Sequence, residues 1–184
     1  MKNLILDIQK RLGEAEMPAG YTRLRKNNRL FEYVDLDWGQ VDFYTQFPPP
    51  VKFPCCLIEL LSAAYSNEGN LIQIGDIAIQ LRIVDMVLNN SSYRAPDKQK
   101  EVAFAIFDLI DETNRLLHGW GQALNTESDK GGYGKLIKQS ISKINRRDGL
   151  REYRLLYSVQ LTDTSAALIN NRTATAPKIT VSVK

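Results

Sequence analysis

Leu71-Ile72-Gln73-Ile74-Gly75-Asp76-Ile77-Ala78-Ile79-Gln80-Leu81-Arg82-Ile83-Val84 carries the alternation that decides the fold. Side chains of an extended chain point to opposite faces in turn, so Ile72, Ile74, Ile77, Ile79, Leu81 and Ile83 predict a long strand with one face on a core. The phase shifts once, at Gly75-Asp76, and a glycine inside a strand often marks a bulge that produces such a shift. Gln80 and Arg82 are then expected to face away from the core.

Upstream, Phe53 to Leu61 is short and almost wholly apolar, as expected for a strand covered on both faces. Ser66-Asn67-Glu68-Gly69-Asn70 supplies the turn between the two strands. Cys55 and Cys56 are adjacent in the first of them and point to opposite faces, so they cannot easily bridge each other and read as buried structural thiols of a reduced compartment.

Downstream of a polar loop at Asn89-Asn90-Ser91-Ser92, Pro96 and Asp97 open a helix. Val102, Ala105, Ile106, Leu109, Ile110, Thr113, Leu116 and Leu117 make a stripe broad enough to pack it on a sheet. The helix is expected to end near His118-Gly119, with the imidazole as a cap favoured by the helix dipole. Leu136 to Ile144 and Leu150 to Leu161 read as a hairpin turned at Arg147-Asp148-Gly149. At the other end, Leu4, Ile5, Ile8 and Leu12 predict a first helix with Gly13 as a left-handed cap. Residues 30 to 38 read as a half-exposed strand or an extended arm, and Pro48-Pro49-Pro50 as a rigid spacer.

The 184 residues fit one domain, with 43% hydrophobic and 24% charged residues, close to ordinary globular usage. The formal net charge of +3 is interspersed and by itself implies no nucleic-acid partner. Charged residues interrupt the N-terminal apolar stretch, which argues against a signal peptide, and no apolar run approaches the roughly 20 residues that cross a bilayer. The expected division is a domain over residues 1 to 163 and a linker and C-terminal arm over 164 to 184. In that arm Ile179, Val181 and Val183 alternate with Thr180 and Ser182, a strand too short to stand alone and in need of a host sheet.

Little in the chain points to catalysis. Asp35, Asp37 and Asp42 cluster around Trp38, where they could bind a hard cation or act as acid and base, or simply line a solvated edge. Gly131, Gly132 and Gly134 before Lys135 lack the first glycine and the hydroxyl of a phosphate loop, and read as a flexible loop. Arg23, Arg25, Lys26 and Arg29, with Tyr21 and Phe31 beside them, could meet phosphates and bases or be a solvated surface; Arg146 and Arg147 at the hairpin turn are equally ambiguous. No catalytic residue, metal or cofactor is expected.

The order of helix, extended segment, Pro-preceded strand Pro54 to Glu59, long strand, helix Lys98 to Leu117 and strands ending at Leu161 resembles the tail terminator and related tail-completion, or neck, proteins of long-tailed bacteriophages and contractile injection systems. The resemblance covers residues 1 to about 163. It implies an α+β protomer with a mainly antiparallel sheet of about four strands, helices packed against it, and a C-terminal arm in addition. It also implies a homo-hexameric ring that caps the tail tube and joins the head, as a non-enzymatic virion protein assembled in the host cytoplasm. The implied partners are other copies, the tail tube protein and a neck or head-completion protein, with passive contact with DNA in the lumen and no membrane. Arg23, Arg25, Lys26, Arg29, Trp38, Tyr133, Arg146, Arg147, Ile179, Val181 and Val183 are the candidate interface residues. Other readings are a nucleic-acid-binding module using Arg23 to Arg29, another connector component, and a small-molecule enzyme with a pocket between helix and sheet.

Overall fold

The computed structural model describes residues 1–18, 28–43, 51–68, 72–86, 91–122 and 132–165. Strands β1 (Tyr33–Leu36), β2 (Cys55–Asn67), β3 (Gln73–Met86), β4 (Ile137–Ile144) and β5 (Leu150–Asp163) accompany helices α1 (Lys2–Gly13) and α2 (Asp97–Leu117). They form one five-stranded sheet in the order β1-β2-β3-β5-β4. The expected α+β class and mostly antiparallel sheet are therefore present, with five strands rather than about four. The additional strand is β1, which pairs with β2 in parallel, Tyr33 opposite Cys55 and Leu36 opposite Ile58. Residues 166 to 184 of the linker and C-terminal arm lie outside the described residues.

The sheet is covered unequally. On the helical face, alternate residues of three strands, among them Ile58, Ile79, Leu81, Leu155 and Tyr157, meet Leu4, Ile8 and Leu12 of α1 and Ile106, Leu109 and Ile110 of α2. Each such side chain taken from water contributes about 1.5–3 kcal/mol, which makes this face the main source of stability. Arg11 ties the helices together, donating from Nε to the Leu116 carbonyl at 2.7 Å with its guanidinium 4.8 Å from the Trp120 ring centre. On the opposite face a smaller cluster, Cys55, Leu57, Val84 and Leu150, is covered by Val41 and Val51. The two cysteines do point to opposite faces; both are buried and unpaired with each other. Burial pushes the Cys55 thiol up to about 12 and raises Cys56 as well.

Several expectations need correction. Only Cys55 to Ile58 of β2 is buried on both sides, and the strand continues to Asn67 with most of its second half in solvent. The irregularity in this strand pair lies in β2, between Leu60 and Ser62, and the ladder runs unbroken through Gly75. Gly75 is there for space: a Cβ on it would lie 2.6 Å from the ring of Tyr65, its cross-strand partner. Gly13 is the last residue of α1, and Glu14, in right-handed geometry, caps the helix in place of a left-handed glycine. His118 does follow α2, but its Nδ1 accepts the Lys138 N–H at 3.1 Å, which fastens the helix end to β4. Gly132 to Gly134 run along β5, with Thr162 N donating to the Gly132 carbonyl and Gly134 N to that of Gln160, so this is a paired segment and not a free loop. The Asp148-Gly149 turn is as expected, with Gly149 at φ +81°.

Candidate assembly site

The second face of the sheet carries a charge cluster on which an exposed loop rests. Arg82, 4% exposed, projects from the middle of β3. All five of its N–H groups are directed at carboxylates. Nε and Nη2 donate to the two oxygens of Glu152 at 3.0 and 3.1 Å. Nη1 donates to Asp37 at 2.6 Å and Asp42 at 3.3 Å, and Nη2 also to Asp42 at 3.0 Å. A guanidinium is the one side chain whose planar fork can satisfy three carboxylates together.

Arg146, from the β4–β5 turn, makes a second layer. Its Nη1 donates to Asp42 at 2.8 Å and Glu152 at 2.9 Å, and its Nη2 to Asp148 at 2.6 Å and to the Val41 carbonyl at 3.0 Å. Arg154 Nε adds a bond to Glu152 at 2.7 Å. Burial pushes the Glu152 carboxyl up, but the bonds from Arg82, Arg154 and Arg146 outweigh it and hold the group below the ordinary range. The same balance of burial against Arg82 and Arg146 lowers Asp42. Asp148 is lowered chiefly by Arg146. Both arginines are held further above their already high ordinary values by these carboxylates.

The loop from Leu36 to Phe43 is what this cluster positions. Gln40, fully buried, accepts the Trp38 N–H at 2.9 Å and donates to the Leu36 carbonyl at 2.8 Å. Asp37 Oδ1 accepts the Gly39 N–H at 3.0 Å, and Gly39 turns the chain at φ +89°. The loop is thereby fixed at its base, while Leu36, Trp38 and Phe43 stand in solvent, Trp38 at 61% exposure. An aromatic side chain on a stiff support is the kind of group that dominates protein interfaces, since little freedom is lost on contact.

Asp37 and Asp42 are thus ion-paired to Arg82, Asp37 buried and Asp42 half exposed. Among the described residues no group of three or more His, Cys, Asp or Glu could hold a metal ion. Of the other candidate residues, Trp38, Arg29 and Arg147 are exposed. Tyr133 is in the core, 2% exposed, with its hydroxyl donating to Asp7 at 2.7 Å. Arg146 is largely withdrawn into the cluster, with 12% of its side chain exposed. Arg23, Arg25, Lys26, Ile179, Val181 and Val183 lie outside the described residues. The sequence reading missed Arg82 and Glu152 as the centre of the arrangement; the signal was Leu81, Ile83 and Val84 around Arg82, apolar at both parities.

No helix among the described residues is long and apolar enough to cross a membrane. No family model matches the chain. No curated protein matches it either. Among solved structures, it is similar to a chain from the virion of a native gene transfer agent particle, at 14% identity and a TM-score of 0.36, over 78% of this chain and 91% of that one.

Proposed function

We propose that this protein is a non-enzymatic structural component of a phage-type virion. In this reading copies of the chain close into a hexameric ring at the end of the tail tube, and the ring offers the surface to which the head is joined. Its partners are further copies, the tube protein and a neck or head-completion protein; DNA passes through the lumen without specific contact. Assembly takes place in the host cytoplasm.

The observation that carries the reading is where the exposed apolar groups sit. Among them, Leu36 and Trp38 stand at the β1 side of the sheet, and Ile137 and Ile141 on the outermost strand at the other side. Two different sticky surfaces on opposite flanks suit head-to-tail association, which yields a ring when the rotation closes. The element order discussed above supports the tail-end placement.

Native mass measurement with negative-stain imaging tests it, on the purified protein and on assembled particles. Rings alone or at the tube end are expected. A chain that is monomeric at high concentration and absent from particle ends removes the reading. Tight, salt-sensitive DNA binding that vanishes on replacing Arg23, Arg25 and Lys26 by Ser replaces it with the nucleic-acid module.

A further inference from the structure

The outer edge of β2 poses a problem that the described fold leaves unsolved. β1 pairs only with Cys55 to Ile58, so beyond Ile58 the strand has β3 on one side and, among the described residues, no strand on the other. The open stretch is Leu60-Leu61-Ser62-Ala63-Ala64-Tyr65-Ser66-Asn67, eight residues without a charge or a proline. All of them but Ala63 are exposed, including Leu60, Leu61 and Tyr65. Edge strands are normally guarded by lysine, proline or a very short length. The sheet's other edge, β4, is guarded in this way by Lys138 and Lys143. An uncharged, open strand of this length would otherwise invite indiscriminate pairing.

We propose that this β2 edge is the docking site for residues 178–184 of a second copy of the chain, which add to the sheet as a further strand. The proposal deepens the assembly reading above and rests on it for the presence of a neighbouring copy. The faces match. Register places Ala63 opposite Ile77 and Tyr65 opposite Gly75, on the helical side with Leu60 opposite Ile79, while Ser62, Ala64 and Ser66 fall on the other side. The segment Lys178-Ile179-Thr180-Val181-Ser182-Val183-Lys184 divides in the same manner, Ile179, Val181 and Val183 on one face and Thr180 and Ser182 on the other. Paired with β2, its aliphatic face would extend the Leu60, Ala63 and Tyr65 surface and its hydroxyls would lie beside Ser62 and Ser66. The charges suit each other too, with Glu59 and Glu68 bracketing the edge and Lys178 and Lys184 bracketing the arm.

The length of chain between them favours a neighbour. Asp163 pairs with Gln73, and Gln73 with Asn67, so a strand added at the open β2 edge lies three strand spacings from the end of β5, about 14 Å away. Four or five extended residues would cover that distance, whereas residues 166–177 can reach about 40 Å. A connection more than twice as long as its own edge needs is matched to the edge of an adjacent subunit.

Cysteine pairing in the full-length protein decides the matter, because Cys55 and Cys56 are buried with raised thiols and give a low background. One set of chains carries Ser62→Cys, Ala64→Cys or Ser66→Cys, and a second set Thr180→Cys or Ser182→Cys. Mixing the sets under mild oxidation should give disulfide-linked heterodimers for at least one pair. No linkage should form to a Ser142→Cys chain, whose thiol is on β4. Ala64→Lys, at an exposed position, should leave the unfolding midpoint in place and abolish the linkage through Ser62→Cys and Ser66→Cys. Three outcomes overturn the inference: linkage to β4 instead; linkage only within chains carrying both substitutions, which makes the arm a cap on its own edge; or no linkage in samples that imaging shows to be rings. In the last case the ring reading survives, and heterodimers in samples that never form rings sink the ring reading alone.

Discussion

Arg82 and Glu152 are 70 positions apart and meet side-on, Nε to Oε1 at 3.0 Å and Nη2 to Oε2 at 3.1 Å. The pair joins the middle of β3 to the start of β5 on the face away from the helices, where Glu152 is opposite Val84 in register. It is also the support of the Leu36 to Phe43 loop, because the rest of the same guanidinium holds Asp37 and Asp42.

Arg82→Met should therefore be one of the most damaging single substitutions in the chain. It leaves Asp37 buried without its cation and Glu152 with only Arg146 and Arg154 to compensate it, a loss of about 3–5 kcal/mol by comparison with other broken buried pairs. Arg82→Lys should recover only part of this, since an ammonium cannot reach three carboxylates in one plane. Urea unfolding measures both. An Arg82→Met midpoint equal to that of the parent chain would show that the cluster is dispensable.

The same cluster sets the response to acid. Asp42, Asp148 and Glu152 are held below their ordinary values near 3.8, 3.8 and 4.5. A depressed folded value means that the unfolded chain takes up protons first as pH falls. The stabilisation is thus complete above about pH 4.5 and is lost as pH drops through the unfolded values towards the lower folded ones. Unfolding midpoints followed from pH 7 to pH 3 should fall in that window. A midpoint independent of pH down to 3 contradicts the assignment.

Two glycines separate a backbone constraint from a side-chain one. A Cβ on Gly121 would lie 2.2 Å from the Gly134 carbonyl oxygen, where the segment after α2 runs against the one before β4. Gly121→Ala must push two backbones apart and should cost several kcal/mol, of the order of 3. At Gly75 the obstacle is the ring of Tyr65, itself half in solvent and free to turn. Gly75→Ala should cost about 1 kcal/mol or less, and the Tyr65→Ala, Gly75→Ala double variant should show the two effects to be coupled. Equal losses for Gly121→Ala and Gly75→Ala would mean that the close approach at Gly121 is not rigid.

The parts of the fold legible in the sequence were those with a strong period and a marked end. Helix α2 begins at Asp97 and ends at Leu117, and β5 begins at Leu150 after Asp148-Gly149, all as read from spacing. For β1 the half-exposed strand was one of two readings of residues 30 to 38, but its parallel pairing was not legible: four residues have too little pattern, and their partner Cys55 to Ile58 is 22 positions away. Arg82 was misplaced because alternation assigns a face but not its cover. Whether that second face met water or Val41 and Val51 depended on a long-range contact. The three carboxylates that make burial of Arg82 tolerable come from positions 37, 42 and 152, and no local spacing links them.

Trp38 gives the most direct test of the loop as a contact surface. Its side chain is mostly in solvent, and its place in the fold depends on its backbone N–H bonded to Gln40, which any residue can supply. Trp38→Ala should therefore leave the unfolding midpoint within about 0.5 kcal/mol of the parent. If the loop lies in the interface between copies, losing a central tryptophan costs about 2 kcal/mol or more, close to a 30-fold rise in the concentration needed for association. Phe104→Ala is the matching control, since Phe104 is an exposed aromatic on α2, an element other than the one that carries this loop. Sedimentation or native mass measurement over a concentration series reads both variants. Weakened association for Trp38→Ala alone places the loop at the contact; equal association for all three proteins moves the contact elsewhere on the molecule.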